Sequence, residues 1–142
     1  MKVFDLMSDR VITVGLNEPV SAAARLLRQH NIGAVPVTDD KGKLKGIITD
    51  RDIAIRCAAG GFSPDSMKVS DAMTRGVLTI PDNAYIGDAA RLMADAQIRR
   101  LPVSRDGQLV GMLSLADIAR NTDCDTEAAA ALCEISRNIR RA

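Results

Sequence analysis

Apolar residues recur along this chain in two rhythms, a short β-like run and a helical stripe, and the same order of rhythms occurs twice. Val11 to Val14 alternates weakly, as a short strand would. Asn17 and Pro19 then give a helix-start signal, and Val20, Ala23, Ala24 and Leu27 fall on one face of the helix that follows. Small alanines at that contact let a helix lie close to a sheet. Ala34 to Thr38 and Leu44 to Thr49 are β-rich runs flanking the turn sequence Asp39-Asp40-Lys41-Gly42, which predicts an antiparallel pair. Helical spacing resumes at Asp50 and runs through Ile53 and Ala54, so the predicted unit is β-α-β-β-α.

The second occurrence is a repeat in register. Asp5-Leu6-Met7 returns as Asp71-Ala72-Met73, Val11-Ile12-Thr13-Val14 as Val77-Leu78-Thr79-Ile80, and Ala23-Ala24-Arg25-Leu26 as Ala89-Ala90-Arg91-Leu92, each 66 residues on, the separation of Met7 from Met73. Ile32-Gly33-Ala34-Val35-Pro36-Val37 returns as Ile98-Arg99-Arg100-Leu101-Pro102-Val103 at the same shift. Gly46-Ile47-Ile48-Thr49-Asp50-Arg51-Asp52-Ile53 then matches Gly111-Met112-Leu113-Ser114-Leu115-Ala116-Asp117-Ile118 at a shift of 65, the separation of Asp52 from Asp117. The lost residue falls in the turn that ends in Gly42 in one copy and Gly107 in the other, where a hairpin absorbs a length change. Ile86, Ala89, Ala90 and Met93 form the helical face of the second copy.

Gly60-Gly61-Phe62-Ser63-Pro64-Asp65 is a breaker cluster between the copies. The organisation read from this is a first repeat at 1–59, a connector at 60–69, a second repeat at 70–121 and a C-terminal helix within 122–142. Neither copy buries much apolar surface alone, so an α/β (α+β) fold is expected in which two repeats pack about a pseudo-twofold axis. Thr126 is the expected N-cap of the last helix, with Glu127 in its first turn and Arg137, Arg140 and Arg141 near its end. Its apolar stripe reads Ala128, Leu132, Ile135 and Ile139, a seam for its own domain or for a second subunit.

Composition narrows the chemistry. Of 142 residues 46% are apolar, but there is no Trp, one Tyr and two Phe, so a ligand would be held by backbone and aliphatic surfaces rather than aromatic stacking. A formal charge of +1 argues against nucleic acid as a partner. Charges interrupt the N-terminal residues where a signal peptide needs an apolar run, and no stretch reaches the ~20 apolar residues of a membrane span, which points to a cytoplasmic protein without a membrane partner. Cys57, Cys124 and Cys133 are neither spaced for metal nor near His30, the only histidine, and read as small buried or half-buried thiols, with a redox pair involving Cys124 or Cys133 as the alternative. His30 reads as a charge partner for the end of its helix.

Two β-α-β-β-α copies, each with a proline in its second strand and an ending of Gly, two apolar residues, Thr or Ser, two further residues and Asp, resemble a pair of CBS domains over residues 1 to about 120. The resemblance implies a non-catalytic energy or metabolite sensor that binds AMP, ADP, ATP, NAD or S-adenosylmethionine between its repeats, with no cofactor required. Asp52 and Asp117 stand three residues after Thr49 and Ser114, at the start of a helix. There a carboxylate can accept ribose hydroxyl protons while the hydroxyl meets a phosphate; equally, the hydroxyl can cap the helix and the carboxylate favour its positive end.

Carried over from the family, the clefts are composite. One combines Thr49 and Asp52 with Val77, Leu78, Ile98, Arg99 and Arg100, the arginines facing phosphate; Arg51 is a further phosphate candidate. The other combines Ser114 and Asp117 with Val11, Ile12, Ile32, Gly33 and Ala34 and is expected to lack an equivalent cation and to take a less charged ligand or none. No nucleophile with a base, metal cluster or paired carboxylates suggests an enzyme. The resemblance further implies a homodimer and an effector protein that reads ligand-dependent orientation of the repeats; the alternative is a protein-interaction module that keeps the scaffold without a ligand.

Overall fold

The computed structural model describes residues 1–121 and 125–136. In chain order its elements are α1 (Val3–Leu6), β1 (Val14–Gly15), α2 (Val20–His30), β2 (Ala34–Thr38), β3 (Leu44–Thr49) and α3 (Asp50–Asp52), the last continuing as a π-helical turn over Ile53–Ala58. There follow α4 (Val69–Ala72), β4 (Ile80–Pro81), α5 (Ile86–Ala96), β5 (Arg100–Arg105), β6 (Gln108–Ser114), α6 (Leu115–Ala119) and α7 (Asp125–Ser136).

These elements form two compact units, one of Ile12–Val77 and one of Met1–Val11 with Leu78 onward. Each holds a three-stranded sheet, ordered β1-β2-β3 in one and β4-β5-β6 in the other, with the first pair parallel and the second antiparallel. The sequence repeat and the compact unit are offset. Val69, Ala72 and Met73, in and beside α4, complete the core formed by Val14, Val20, Ala23, Val35, Val37 and Ile48. Val3 of α1 sits likewise in the core with Ile86, Ala89, Met93, Leu101 and Leu113. A short helix ahead of each first strand thus supplies apolar side chains to the sheet of the other repeat.

Proline in a central strand is costly unless its missing N–H faces away from the ladder. Ile47 exchanges both its backbone bonds with Thr74, at 3.0 and 2.8 Å, so its pairing with Pro36 is not hydrogen-bonded and the β2–β3 ladder loses nothing. Met112 and Ser8 do the same opposite Pro102. The missing N–H then lies on the β1 side, which accounts for a difference from the expected strand over Val11 to Val14: β1 begins only at Val14, paired with Val37 just past the proline. Val11 stays exposed, and β4 likewise begins at Ile80 rather than Val77. The two hairpins carry the length change expected of them. Five residues link Thr38 to Leu44 and four link the matching Ser104 to Leu109, where Arg105 pairs with Gln108 and Asp106-Gly107, both at positive φ, make a tight turn.

The C-terminal helix corrects two expectations. It starts at Asp125, so Thr126 lies inside its first turn rather than at the N-cap. Its docked stripe is Ala128, Ala131 and Ile135, all buried in the core of its own unit, while Leu132 is 50% exposed. Ile139, Arg137, Arg140 and Arg141 lie outside the described residues, as does Cys124. Cys57 is buried, and its thiol donates to the Phe62 carbonyl at 3.4 Å; Cys133 is exposed, where a buried or half-buried thiol was expected. No helix among the described residues is long and apolar enough to cross a membrane.

Candidate functional site

Helices α2 and α5 both end on a left-handed residue, Asn31 at φ 51° and Gln97 at φ 57°. The reversed residue turns the chain sharply into Ile32–Ala34 and Ile98–Arg100. Gly33 then accepts the Asp50 N–H at 3.1 Å, and Arg99 accepts the Leu115 N–H at 2.8 Å. The ladders place Ala34 opposite Thr49 and Arg100 opposite Ser114. Each unit therefore lays the segment before its second strand beside the Thr or Ser that ends its third.

Both of these residues form complete capping boxes. The Thr49 hydroxyl accepts the Asp52 N–H at 3.0 Å and Asp52 Oδ2 accepts the Thr49 N–H at 3.0 Å; for Ser114 and Asp117 the two distances are 3.0 and 2.8 Å. Capping engages only the acceptor side of each hydroxyl, leaving its own proton to donate. Capping and ligand contact are therefore compatible.

The two carboxylates have different further partners. Asp52 is 8% exposed and takes the Thr74 hydroxyl at 3.1 Å from Oδ1 and 3.3 Å from Oδ2. Arg56 supports this arrangement by donating from Nη1 to the carbonyls of Ala72 and Met73, the residues just before Thr74. Asp117 instead pairs through Oδ1 with the Arg120 guanidinium, itself largely exposed. Neither Thr74 nor Arg120 was singled out from the sequence. Thr74 was within reach, because the repeated Asp5-Leu6-Met7 and Asp71-Ala72-Met73 are each followed by a hydroxyl residue, Ser8 and Thr74.

A cavity of about 280 Å³ opens on the unit containing the second sheet. Its polar lining is Arg99, Arg100 and Ser114, and its apolar lining Leu115, Ala116, Ala119 and Leu132. The Ser114 side thus has two arginines of its own unit in its cavity. The cause is the β5–β6 hairpin, which makes Arg100 the ladder partner of Ser114. Among the described residues no carboxylate forms an ion pair with Arg99 or Arg100. A second cavity, about 250 Å³, is lined by Asp5, Leu6, Asp117, Arg120 and Asn121.

The other candidates divide by unit. Ile12, Ile32, Gly33, Ala34, Thr49, Arg51, Asp52 and Val77 belong to the Ile12–Val77 unit; Val11, Leu78, Ile98, Arg99, Arg100, Ser114 and Asp117 belong to the other. Ile32 and Leu78 are exposed at 38% and 44%, Ala34 is buried, and Arg51 is exposed in the first turn of α3. His30 closes α2 as its last residue, beside Arg28 in the last turn.

A family model described as "CBS domain" matches residues 3–58 and 69–122. The chain is 42% identical over 134 residues to the CBS domain-containing protein YhcV of Bacillus subtilis (strain 168), covering 94% of each. Among solved structures it resembles Hypoxic Response Protein I with two coordinated zinc ions, at 36% identity and TM-score 0.78, over 85% of this chain and 98% of that one. It also resembles the CBS domain pair of protein MJ0100 in complex with 5-methylthioadenosine and S-adenosyl-L-methionine, at 34% identity and TM-score 0.76, over 84% and 94%. Among the described residues of this chain, no group of three His, Cys, Asp or Glu is placed to hold a metal ion.

Proposed function

This chain belongs to the CBS domain family, and we propose that it is a regulatory module that binds an adenosine-containing ligand through the segments around Thr49–Asp52 and Ser114–Asp117. The observation that carries this reading is the cavity that brings Arg99 and Arg100 beside the Ser114 hydroxyl. Two forked cations and a hydroxyl with a spare proton suit phosphate oxygens. Its volume of about 280 Å³ is near the lower end of the roughly 300–1,000 Å³ of small-molecule sites, enough for a phosphate and part of the sugar. The adenosyl complex of MJ0100 supports the ligand class.

In this reading Asp52 and Asp117 accept ribose hydroxyl protons through lone pairs left over from capping, with Ile12, Ile32, Gly33, Ala34 and Val77 on one unit and Val11, Leu78 and Ile98 on the other offering apolar and backbone surface to the base. Arg51 is a further phosphate contact. Ligand binding favours one state of the module, and a partner protein that reads this state is switched in proportion to the difference in affinity. The module is proposed to act as a cytoplasmic homodimer.

Calorimetric titration with AMP, ATP, NAD and S-adenosylmethionine tests the reading, with Asp52→Ala and Asp117→Ala alongside. Binding to the parent chain that weakens at least ten-fold in one of these variants is expected. No heat and no thermal shift with any of the four would replace the sensor by an interaction module that carries the scaffold alone.

A further inference from the structure

Leu132 lies beyond the residues matched by the family model, yet it lines the same cavity as Arg99, Arg100 and Ser114. We propose that α7 is part of the ligand site, with Leu132 as the apolar wall for the body of an adenine nucleotide, and that the bound nucleotide in turn holds α7 down. This rests on the adenosyl reading above and adds to it a specificity-determining residue and a moving part.

Among the described residues, α7 docks on α5 and α6 through Ala128, Ala131 and Ile135. Stabilisation by burial scales with apolar area, and this described seam has one large buried side chain, Ile135, where the face of α5 has two, Ile86 and Met93, beside Ala89 and Ala90. Leu132, the largest apolar side chain between Thr126 and Ser136 apart from Ile135, is one position round from the seam and half exposed. Half of its surface is left uncovered by the protein.

Its surroundings supply a reason. The 280 Å³ cavity with its arginines meets a second of about 300 Å³ that shares Leu115, Ala119 and Leu132 and adds only Ala128 and Ala129. Polarity therefore grades from guanidinium and hydroxyl to purely aliphatic across Leu132. A nucleotide has the same gradient, anionic at the phosphates and apolar over the base. With its phosphate between Arg99, Arg100 and Ser114, its sugar and base extend along Leu115 and Leu132, a path that on this unit takes the place of Asp117 as ribose partner and of Val11, Leu78 and Ile98 as the surface for the base. Whatever affinity the ligand draws from docked α7, it returns as stability of the docked helix, because the coupling is reciprocal.

Covering the exposed half of a leucine side chain corresponds to roughly a three- to ten-fold gain in affinity. The test uses the full chain, titrated with ATP and AMP, as parent, Leu132→Ala and Leu132→Met, together with amide hydrogen exchange of α7 with and without saturating nucleotide. The alanine variant is expected to bind three- to ten-fold more weakly, the methionine variant to recover most of that loss because it keeps the volume, and the α7 amides to exchange more slowly once nucleotide is bound. If the parent binds and Arg100→Ala weakens it, while Leu132→Ala binds as tightly as the parent and exchange in α7 is unchanged, α7 is no part of the site and only this inference falls. If the parent binds neither nucleotide, nor S-adenosylmethionine or 5′-methylthioadenosine, this inference and the adenosyl reading fall together.

Discussion

Thr74 donates its hydroxyl proton to the Asp52 carboxylate, 3.1 Å from Oδ1, and so ties the residue just after α4 to the motif that ends the first repeat. Ser8 occupies the matching place in the other unit and makes the same paired backbone bonds, to Met112, yet Asp117 there is held by Arg120. One carboxylate is thus steadied by a hydroxyl and the other by a cation. Thr74→Val removes a hydrogen bond to a charged, nearly buried group and is expected to cost about 1.5 kcal/mol in urea unfolding. Ser8→Ala should stay within about 0.5 kcal/mol. Equal effects of the two changes would mean that the Thr74 hydroxyl contributes nothing beyond the shared backbone bridge.

The glycine that opens each motif is explained by the same bridges. A Cβ on Gly46 would lie 2.5 Å from the Thr74 carbonyl oxygen and 2.9 Å from Met73 Sδ; on Gly111 it would lie 2.6 Å from the Ser8 carbonyl oxygen and 2.9 Å from Met7 Sδ. Methionine can move, but a hydrogen-bonded backbone carbonyl cannot move without breaking the bridge. Gly46→Ala and Gly111→Ala are each expected to destabilise by about 1–3 kcal/mol, read from the denaturant midpoint. A change below 0.5 kcal/mol at either position would show that its bridge is dispensable.

Much of this was legible in the sequence because it is local. The runs Ala34–Thr38 and Leu44–Thr49 are the observed β2 and β3, and Ile86, Ala89, Ala90 and Met93 are all buried. Val11 alternates with its neighbours as a strand would and Val77 repeats it, yet whether they pair depends on an N–H that Pro36 and Pro102 lack on the neighbouring strand. Leu132 was read as a seam residue from spacing alone, but Ala131, smaller and less conspicuous, takes the buried position. The partners of Asp52 and Asp117 depend on long-range contacts in one case and on a helix-end geometry in the other, and neither leaves a periodic trace. The strand register that sets Arg100 against Ser114 needs the hairpin turn to be counted residue by residue.

The β2–β3 turn should respond to acid. Asp39 Oδ1 accepts the N–H groups of Lys43 and Lys41, each at 2.9 Å, and Oδ2 stands 3.7 Å from the Lys45 ammonium. The Lys43 N–H is the main reason that its carboxyl titrates below the ordinary aspartate value; the Lys41 N–H and the charges of Lys45 and Lys43 add to this against a desolvation that opposes it. A carboxyl depressed in the folded state favours folding above its unfolded pKa, and that contribution fades as pH falls through the folded value. The Lys41 and Lys43 amide resonances should therefore shift together on acidification, with a midpoint below that of a free aspartate. An Asp39→Asn variant should lose the transition, and its persistence there would assign it to another group.

Ser114 allows capping and ligand contact to be separated. Its oxygen accepts the Asp117 N–H, while its proton is free for a phosphate beside Arg99 and Arg100. Ser114→Ala removes both functions and is expected to cost about 1 kcal/mol of stability as well as affinity. Aspartate is as good an N-cap as serine but has no proton to give and sets a negative charge in the cavity. Ser114→Asp should thus unfold within about 0.5 kcal/mol of the parent yet bind ATP at least ten-fold more weakly, by calorimetry. Because AMP carries less charge, its loss should be smaller. If Ser114→Asp bound ATP as the parent does, the phosphate could not lie against Ser114, and the hydroxyl would be a helix cap alone.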